Sequence, residues 1–473
     1  MNIPKKKVII IGGGITGLST AFFLQESLKE RGDAADCLLV EAEKRLGGKI
    51  LTERAGGFII EGGPDSFITQ KPWGLELCRR VGLTDQLVQT NPVEKAIYIL
   101  SGGKLLPLPE GFNLMVPGRL APFLSTPLIS LPGKIRMGLD LLIPKRDVNE
   151  DESIASFVRR RLGEEALRKL AEPILAGIYA GDAEQLSLMA TFPQFAELER
   201  ADRSLIWGMW KRSRTAGRRG ISQGGLSLFV SLREGLSSLT EAIRKRIEGV
   251  PLRSGQKVKG IRPKERGYEV ILEGETVWAD AVVVTTGAGI AADWIDAWDP
   301  PLAKLLREIR YASTATVSLG FRSGDVLHPL NGFGFVAPRG EGTNLLATTW
   351  SSTKFPGRAP AGHVLIRSFL GGAHQENVVE RDERSLISLV RGDLRSILGI
   401  QADPLVAKVF RWIKASPQYN LGHLSRIAEI EKMTERRPGF FLAGAAYRGV
   451  GIPDCVRQGM EAAEKVVQLF SMK

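Results

Sequence analysis

The hydrophobic positions at the start of the chain change their period twice. An uninterrupted apolar run rich in β-branched side chains covers 8–11, and a helical spacing follows over 15–32. A second strand-like segment, apolar until Glu41, covers 37–43. Short apolar runs without polar alternation are typical of strands that are buried on both faces of a parallel sheet. The order strand, helix, strand therefore predicts an α/β unit at the start of the chain.

Strand patterns also occur in the middle and at the end of the chain. Residues 258–288 alternate between apolar and polar positions in two runs, broken at 266–267 and 273–274. This alternation predicts a β-meander that leads into a buried strand. Further strand-like pieces lie within 290–425, and the last fifty residues have the pattern of a strand, a glycine loop and a helix.

Residues 100–210 differ in character, because prolines interrupt them and leucine and arginine are frequent. Within this stretch Ser153 is a candidate N-cap, and the helix after it would have an apolar face formed by Ile154, Phe157 and Leu162. We therefore expect a helical segment between the strand-forming parts of the chain.

Glycines at the end of the first strand carry the first chemical signal. Gly12, Gly14 and Gly17 form a G-x-G-x-x-G motif between the strand and the helix. The first glycine permits a tight turn, the second lets the backbone approach a pyrophosphate, and the third lets the helix pack on the strand. Glu41 follows at the end of the second strand, where a carboxylate binds ribose hydroxyls and repels a 2′-phosphate. The stretch predicts a dinucleotide site.

The residues after Glu41 indicate which dinucleotide binds. A second glycine pair, Gly47 and Gly48, suits a second backbone approach to the pyrophosphate, and it is flanked by Arg45 and Lys49. The pattern resembles the signature of flavoproteins of the amine oxidase and phytoene desaturase group, which implies FAD. Those proteins usually have arginine at the position of Lys49. Lysine lacks the bidentate fork, so we expect a looser phosphate contact.

An alternative fingerprint for NAD consists of Gly287, Gly289 and Ala292 after another apolar strand. No strand that ends in an acid follows at the needed distance. In the flavoprotein group such a strand belongs to the FAD domain, so we expect a single nucleotide site.

The likeness to these flavoproteins extends to the C-terminal glycine loop, which in that group lies against the flavin. It implies cofactor contacts at Gly444, Val450, Gly451 and Ile452. The N-terminus of the following helix would stabilise negative charge on the reduced ring. Val258, where the meander begins, is a further candidate contact.

The implied fold class is mixed α/β, with a discontinuous Rossmann-like FAD-binding domain, a sheet-containing substrate domain and a helical subdomain. The predicted bounds are 1–90, 220–289 and 426–473 for the FAD-binding domain, 91–99 and 290–425 for the substrate domain, and 100–219 for the helical subdomain.

Composition restricts the partners and the compartment. The 64 basic and 52 acidic residues leave a net charge of +12, which favours anionic partners, and no nucleic-acid-binding motif accompanies it. The three cysteines are far apart and the four histidines lack metal-ligand spacing, so we expect a reducing compartment and no metal site. Without a signal-peptide pattern or an apolar run of about 18 residues, we predict a cytoplasmic protein with no spanning helix.

Stretches spread from residue 9 to 455 resemble one family, the oxygen-dependent, FAD-containing protoporphyrinogen and coproporphyrinogen oxidases of haem synthesis. They are IIIGGGITGL, RLGGKI, EGGPDSF, EPILAGIYAGDAEQLSLMATFPQF, RWIKASPQYNLGH and GVGIPDC. The resemblance implies six-electron oxidation of a porphyrinogen to a porphyrin, with oxygen as acceptor and hydrogen peroxide as product. The flavin carries this chemistry. We therefore assign no catalytic side chain and no metal ligand.

The propionates of such a substrate need cations, and Lys71 is the candidate partner, with a solvated surface lysine as the alternative. Gly177 and Ile178 match a family motif that borders the macrocycle, with helix-end packing as the alternative. The GPDSF stretch followed by lysine is similar to the Gram-positive type, which accepts coproporphyrinogen III with four propionates. Protoporphyrinogen IX, which has two propionates, stays open as the substrate. The choice between a monomer and a homodimer also stays open.

Residues 117–146 combine leucine-rich pieces with five basic residues and the single acid Asp140. Such pieces lie in a lipid interface without crossing it, which predicts peripheral contact with the cytoplasmic membrane face. An ordinary helical subdomain is the alternative. Two rival functions also remain, an amine oxidase or carotenoid desaturase and a non-catalytic, flavin-containing tetrapyrrole carrier.

Overall fold

The computed structural model describes residues 5–32, 35–146, 150–219 and 225–471. The strands are β1 (Lys6–Ile11), β2 (Ala35–Glu41), β3 (Thr52–Ala55), β4 (Phe58–Glu61), β5 (Phe67–Ile68), β6 (Leu87–Gln89), β7 (Ile97–Ser101), β8 (Lys104–Pro107), β9 (Phe112–Asn113), β10 (Val116–Pro117), β11 (Phe229–Leu232), β12 (Leu252–Ser254), β13 (Val258–Pro263), β14 (Tyr268–Leu272), β15 (Thr276–Ala279), β16 (Ala281–Val284), β17 (Tyr311–Arg322), β18 (Gly334–Val336), β19 (Ala347–Trp350), β20 (His363–Gly371), β21 (Val406–Pro417) and β22 (Phe440–Leu442).

The α-helices lie between and after these strands. They are α1 (Ile15–Arg31), α2 (Pro72–Arg80), α3 (Leu120–Ser125), α4 (Leu131–Gly138), α5 (Ile154–Arg161), α6 (Glu164–Ala166), α7 (Glu172–Tyr179), α8 (Leu188–Thr191), α9 (Pro193–Asp202), α10 (Leu205–Arg219), α11 (Ser237–Arg246), α12 (Ala288–Ile295), α13 (Pro300–Arg307), α14 (Ser351–Lys354), α15 (Glu383–Leu398), α16 (His423–Glu435) and α17 (Ile452–Ser471).

Five parallel strands form a sheet from distant parts of the chain, in the order β12-β2-β1-β16-β22. The central strand β1 is buried on both faces, as its apolar run predicts. Val8 and Ile10 pack with α1 and α17 on one face. Ile9 and Ile11 pack on the other face with the β13–β15 meander and α12. The meander has both of the predicted turns.

The carboxyl ends of these parallel strands meet at one edge of the sheet. Gly12 follows β1, Glu41 ends β2 and Gly444 follows β22 at this edge. In open α/β sheets, ligands bind outside the carboxyl ends of the strands.

A second, mixed sheet has seven strands in the order β21-β17-β20-β19-β18-β7-β8. One face packs on α15 through Leu386, Val390 and Leu394. The strand β8 belongs to this sheet, whereas the sequence-based division at residue 100 assigns it to the helical subdomain. The difference arises because the turn at Gly102–Gly103 folds β8 back as a hairpin on β7.

The helices α3 to α10 surround an apolar core of their own. Ser153 caps α5 by accepting a hydrogen bond from the Ser156 N–H (3.1 Å), as predicted. Beside this core the guanidinium of Arg161 is fully buried and paired with Asp140 (Nε–Oδ1 2.6 Å). Within the described residues, no helix combines the length and the apolar character that crossing a membrane requires.

Candidate functional site

The turn after β1 brings backbone atoms closer together than side chains would permit. Gly12 has a φ of +110°, and a Cβ there would lie 2.6 Å from Oγ1 of Thr285. A Cβ on Gly17 would overlap the carbonyl oxygen of Gly12. The helix α1 begins at Ile15 without a side-chain cap from the described residues, so its first N–H groups are available to an anion.

The second glycine pair lies directly against this turn. The Gly47 N–H donates to the carbonyl of Gly13 (2.8 Å). Gly48 has a φ of +57°, and a Cβ there would lie 3.0 Å from the Cα of Gly14. Two glycine loops that face each other without side chains form a cradle of backbone groups. This cradle fits the pyrophosphate of FAD.

The two cations beside the cradle bind backbone oxygens. The guanidinium of Arg45 donates to carbonyls of its own loop, at Gly48 (2.5 Å) and Ile50 (2.8 Å). The ammonium of Lys49 donates to the carbonyl of Ala415 in β21. Arg45 therefore fixes the shape of the loop, and Lys49 joins the loop to the seven-stranded sheet. A contact of either side chain with phosphate stays a prediction.

Glu41 is held in place by the backbone. Its Oε2 accepts a hydrogen bond from the Gly13 N–H (2.5 Å), and its Oε1 accepts one from the Glu43 N–H (2.8 Å). Each carboxylate oxygen keeps a further lone pair for a ribose hydroxyl. The Gln256 N–H donates to the Glu41 carbonyl (3.0 Å), which brings the chain leading into Val258 to the same corner. The cofactor contacts of Glu41 and Val258 stay predictions.

The C-terminal glycine loop passes beside the first turn of α1. Gly444 has a φ of +128°, and a Cβ there would lie 3.7 Å from Oγ1 of Thr16. In α17, a Cβ on Gly459 would lie 2.6 Å from the Thr16 carbonyl oxygen. The loop that begins at Gly444 and the helix α17 therefore pass beside the first turn of α1, and flavin contacts of Val450, Gly451 and Ile452 stay predictions.

Lys71 contacts the first turn of α17. Its Nζ lies 2.7 Å from both carboxylate oxygens of Asp454, and the two side chains are 41% and 10% exposed. A negative charge is favoured in the first turn of a helix. An ammonium group has three donors, and Asp454 takes two of them, so one remains for another acceptor. The role of Lys71 in substrate binding stays a prediction.

Gly177 and Ile178 lie where α7 meets the seven-stranded sheet. A Cβ on Gly177 would lie 3.8 Å from Cγ1 of Val336 and 4.0 Å from Cβ of Ala347. The side chain of Ile178 is 49% exposed although it is apolar. An exposed apolar side chain beside a glycine and a sheet suits a flat apolar ligand. Contact with a macrocycle stays a prediction.

A buried charged cluster lies under the GGPDSF stretch and was not among the predicted site residues. Asp65 pairs with Lys354 (2.9 Å), and Arg367 donates to the carbonyls of Gly62 (3.2 Å) and Gly63. Burial alone would raise the pKa of Asp65, but the charges of Lys354 and Arg367 hold this pKa well below its usual range. Lys354 is 289 residues away in sequence, so no local pattern indicates the pair.

A second unpredicted feature lies where β21 ends. The rings of Tyr419 and His423 stack with centroids 4.0 Å apart and an interplanar angle of 14°. His423 is fully buried, and its Nε2 donates to the carbonyl of Tyr447 (2.9 Å). Burial lowers the pKa of His423 to about 4. Both rings lie in the RWIKASPQYNLGH stretch, which carries part of the family resemblance, but the sequence indicates no role for them.

The alternative nucleotide fingerprint lies at the N-terminus of α12. There the hydroxyl of Tyr311 accepts a hydrogen bond from the Ala288 N–H (2.8 Å). This N–H is therefore already paired with a side chain, and a single nucleotide site stays a prediction.

Comparisons with known proteins bear on this arrangement. Residues 15–467 match the family of flavin containing amine oxidoreductases. The chain is 39% identical over 474 residues to the coproporphyrinogen III oxidase of Bacillus subtilis (strain 168), with 100% of both chains covered. It is 34% identical over 483 residues to the chloroplastic protoporphyrinogen oxidase of Oryza sativa subsp. japonica, covering 97% of this chain and 87% of that one.

A solved structure is similar as well. It comes from Exiguobacterium sp. 255-15, and its protein is provisionally described as a protoporphyrinogen oxidase. The TM-score is 0.86 at 32% identity, with 98% of this chain and 99% of that chain covered.

Gly48→Ala should weaken FAD binding, because the new Cβ would separate the two glycine loops. We expect the dissociation constant to rise about tenfold or more, measured by flavin fluorescence during titration of the flavin-free protein. Gly102→Ala is a matched control, since Gly102 has the same φ of +57° but no neighbouring atom within 4 Å of a Cβ. Equal FAD affinity in both variants would contradict the cradle.

The buried imidazole of His423 should make stability depend on pH. The unfolded chain protonates this residue near its ordinary pKa of 6.5, and the folded chain only near 4, so the unfolded state binds more protons between these values. The free energy of unfolding should therefore fall as pH decreases from 6.5 towards 4, by on the order of 2–3 kcal/mol.

His423→Gln keeps a donor for the Tyr447 carbonyl but has no proton to gain. Urea unfolding at pH 7 and pH 5 should show a smaller loss of stability in this variant than in the unchanged protein. The same pH dependence in both would assign the effect to other groups.

Proposed function

The chain belongs to the family of flavin-containing amine oxidoreductases, and we propose that it oxidises a porphyrinogen to the corresponding porphyrin. It is an FAD-dependent oxidoreductase. The proposal is carried by the full-length likeness to a coproporphyrinogen III oxidase. The reaction removes six electrons and six protons in three two-electron steps, with three molecules of oxygen as acceptor and three of hydrogen peroxide as product.

In this proposal FAD supplies the two-electron acceptor, and the chain supplies position and surroundings. The glycine cradle would hold the pyrophosphate, and the N–H groups in the first turn of α17 would stabilise negative charge on the reduced flavin. The exposed side chain of Ile178 would border a flat macrocycle beside α7, where Gly177 lets the helix pack on the sheet. The proposal keeps the predicted division into domains, except that it assigns β8 to the sheet-containing substrate domain.

The substrate class within the proposal is a porphyrinogen with four propionates, coproporphyrinogen III. The remaining donor of Lys71 would bind one of these carboxylates, while Asp454 keeps the ammonium in place. The net charge of +12 is consistent with a polyacidic substrate. Protoporphyrinogen IX, with two propionates, is the second candidate substrate. The likeness to the protoporphyrinogen oxidase of Oryza sativa subsp. japonica supports this candidate.

Porphyrin fluorescence, followed in air with both porphyrinogens in parallel, tests the proposal. We expect faster turnover of coproporphyrinogen III, and we expect Lys71→Met to raise KM about tenfold or more further for this substrate than for protoporphyrinogen IX. One charge-assisted hydrogen bond to a carboxylate is worth about 1.5–3 kcal/mol, which sets that scale. Lys264→Met is the control, because it removes a half-exposed lysine paired with Glu269 on the meander.

Each alternative gives a different result in that assay. An equal effect of Lys71→Met on both substrates would remove the carboxylate role of Lys71 but keep the reaction. A yellow protein that oxidises neither porphyrinogen, and whose flavin is bleached by an amine or a carotene, would support the rival enzymes. Tight porphyrin binding without substrate-dependent flavin reduction would support a carrier.

We further propose a cytoplasmic protein, a monomer or homodimer, that contacts the membrane face peripherally. The support is an apolar surface on α3 and α4, where Leu124, Leu131 and Ile135 are 58%, 72% and 61% exposed. Lys134 lies in this surface and donates to the Leu124 carbonyl (2.6 Å). Exposed leucines beside a cation suit the interface of an anionic bilayer.

Sedimentation with vesicles that contain phosphatidylglycerol tests the membrane contact. Replacement of Leu124, Leu131 and Ile135 by serine should reduce the bound fraction severalfold. The control replaces Val93 and Leu327, which are 78% and 87% exposed but lie outside this surface. If the unchanged protein does not bind, or if both variants bind equally, α3 and α4 belong to an ordinary helical subdomain.

A further inference from the structure

The segment Pro417–His423 joins three parts of the molecule. It ends β21 of the seven-stranded sheet and begins α16. It lies within the RWIKASPQYNLGH stretch, for which the sequence indicates no role. Its backbone and side chains contact both the helical segment and the glycine loop that precedes α17.

The contacts with the helical segment centre on Asp151. Its carboxylate accepts hydrogen bonds from the Gly422 N–H (2.8 Å) and from the Ser187 hydroxyl (2.6 Å). The Ser187 N–H donates in turn to the carbonyl of Tyr419 (2.8 Å). These bonds fix Tyr419 from one side.

On the other side, the Tyr419 hydroxyl bridges the glycine loop. It donates to the carbonyl of Ala445 (2.7 Å) and accepts from the N–H of Gly449 (2.8 Å). The stacked ring of His423 binds the Tyr447 carbonyl between these two positions (2.9 Å). The two stacked rings therefore hold three alternate residues of the loop.

The position of Gly449 matters for the residues after it. A Cβ on Gly449 would overlap the carboxyl group of Asp454, the partner of Lys71, so the loop and the first turn of α17 are in contact. Val450 and Gly451, the predicted flavin contacts, lie between these two points. A shift of Gly449 would move them relative to the glycine cradle.

We propose that Tyr419 is a positioning residue for the flavin, acting through the hydrogen bonds of its hydroxyl to Ala445 and Gly449. Tyr419 is 2% exposed, so water does not readily replace the hydroxyl when it is removed. The Gly449 N–H and the Ala445 carbonyl would then both lose a partner, and the loop would shift to recover one. The inference rests on FAD binding and is independent of the identity of the substrate.

Tyr419→Phe removes this hydroxyl and keeps the stacked ring. Tyr447→Phe is a matched control, because the Tyr447 hydroxyl is also buried but has no hydrogen-bond partner among the described residues. Both holoproteins are compared in FAD dissociation constant, visible flavin spectrum, midpoint potential and melting temperature.

We expect Tyr419→Phe to raise the FAD dissociation constant about tenfold and to alter the visible spectrum, with no such change in Tyr447→Phe. A tenfold change in the relative affinity for oxidised and reduced flavin would appear as a shift of about 30 mV in the midpoint potential. A lower melting temperature with unchanged affinity, spectrum and potential would show a merely structural role and overturn the proposal.

Amide hydrogen exchange of the unchanged protein provides a second test if Tyr419→Phe does not fold. The Gly449 amide should exchange slowly both with FAD and after its removal, since Tyr419 holds the loop in advance of the cofactor. Slow exchange only in the presence of FAD would mean that the cofactor orders the loop, and would overturn the proposal.

Discussion

Close backbone contact between two glycine loops is the constraint on which the rest of this structure depends. Gly14 and Gly48 meet so closely that a Cβ on Gly48 would lie 3.0 Å from the Cα of Gly14, and the Gly47 N–H completes the contact by donating to the Gly13 carbonyl. The contact places two sets of backbone groups and a helix N-terminus around one volume. The other parts of the site are arranged around this cradle.

Two ion pairs connect the N-terminal part of the chain to later segments. Asp65 with Lys354 and Lys71 with Asp454 each join segments that are far apart in sequence. Asp65 and Lys354 are mostly buried, and removal of one partner from such a pair is costly, because it leaves an uncompensated charge. These pairs therefore fix the mutual position of the segments more than they add to net stability.

Much of the fold could be predicted from local pattern. Runs of apolar residues identified β1 and β16, because strands that are buried on both faces have no polar alternation. The glycine spacing predicted the cradle, since Gly12, Gly47 and Gly48 have positive φ values that favour glycine and a Cβ on Gly17 would overlap a backbone oxygen. The predicted boundary at residue 100 separates β8 from the sheet that contains β7, because the pairing of these two strands depends on a turn and not on a change in composition.

The sequence by itself determined the family resemblance, the parallel strands and the glycine positions, because each depends on residues that are neighbours in the chain. Only the tertiary structure decided the partners of the polar side chains. Arg45 binds carbonyls of its own loop, Lys71 binds Asp454, and Tyr419 binds the loop before α17. These choices depend on distances between segments that folding brings together, and hydrogen bonds form only within about 3 Å.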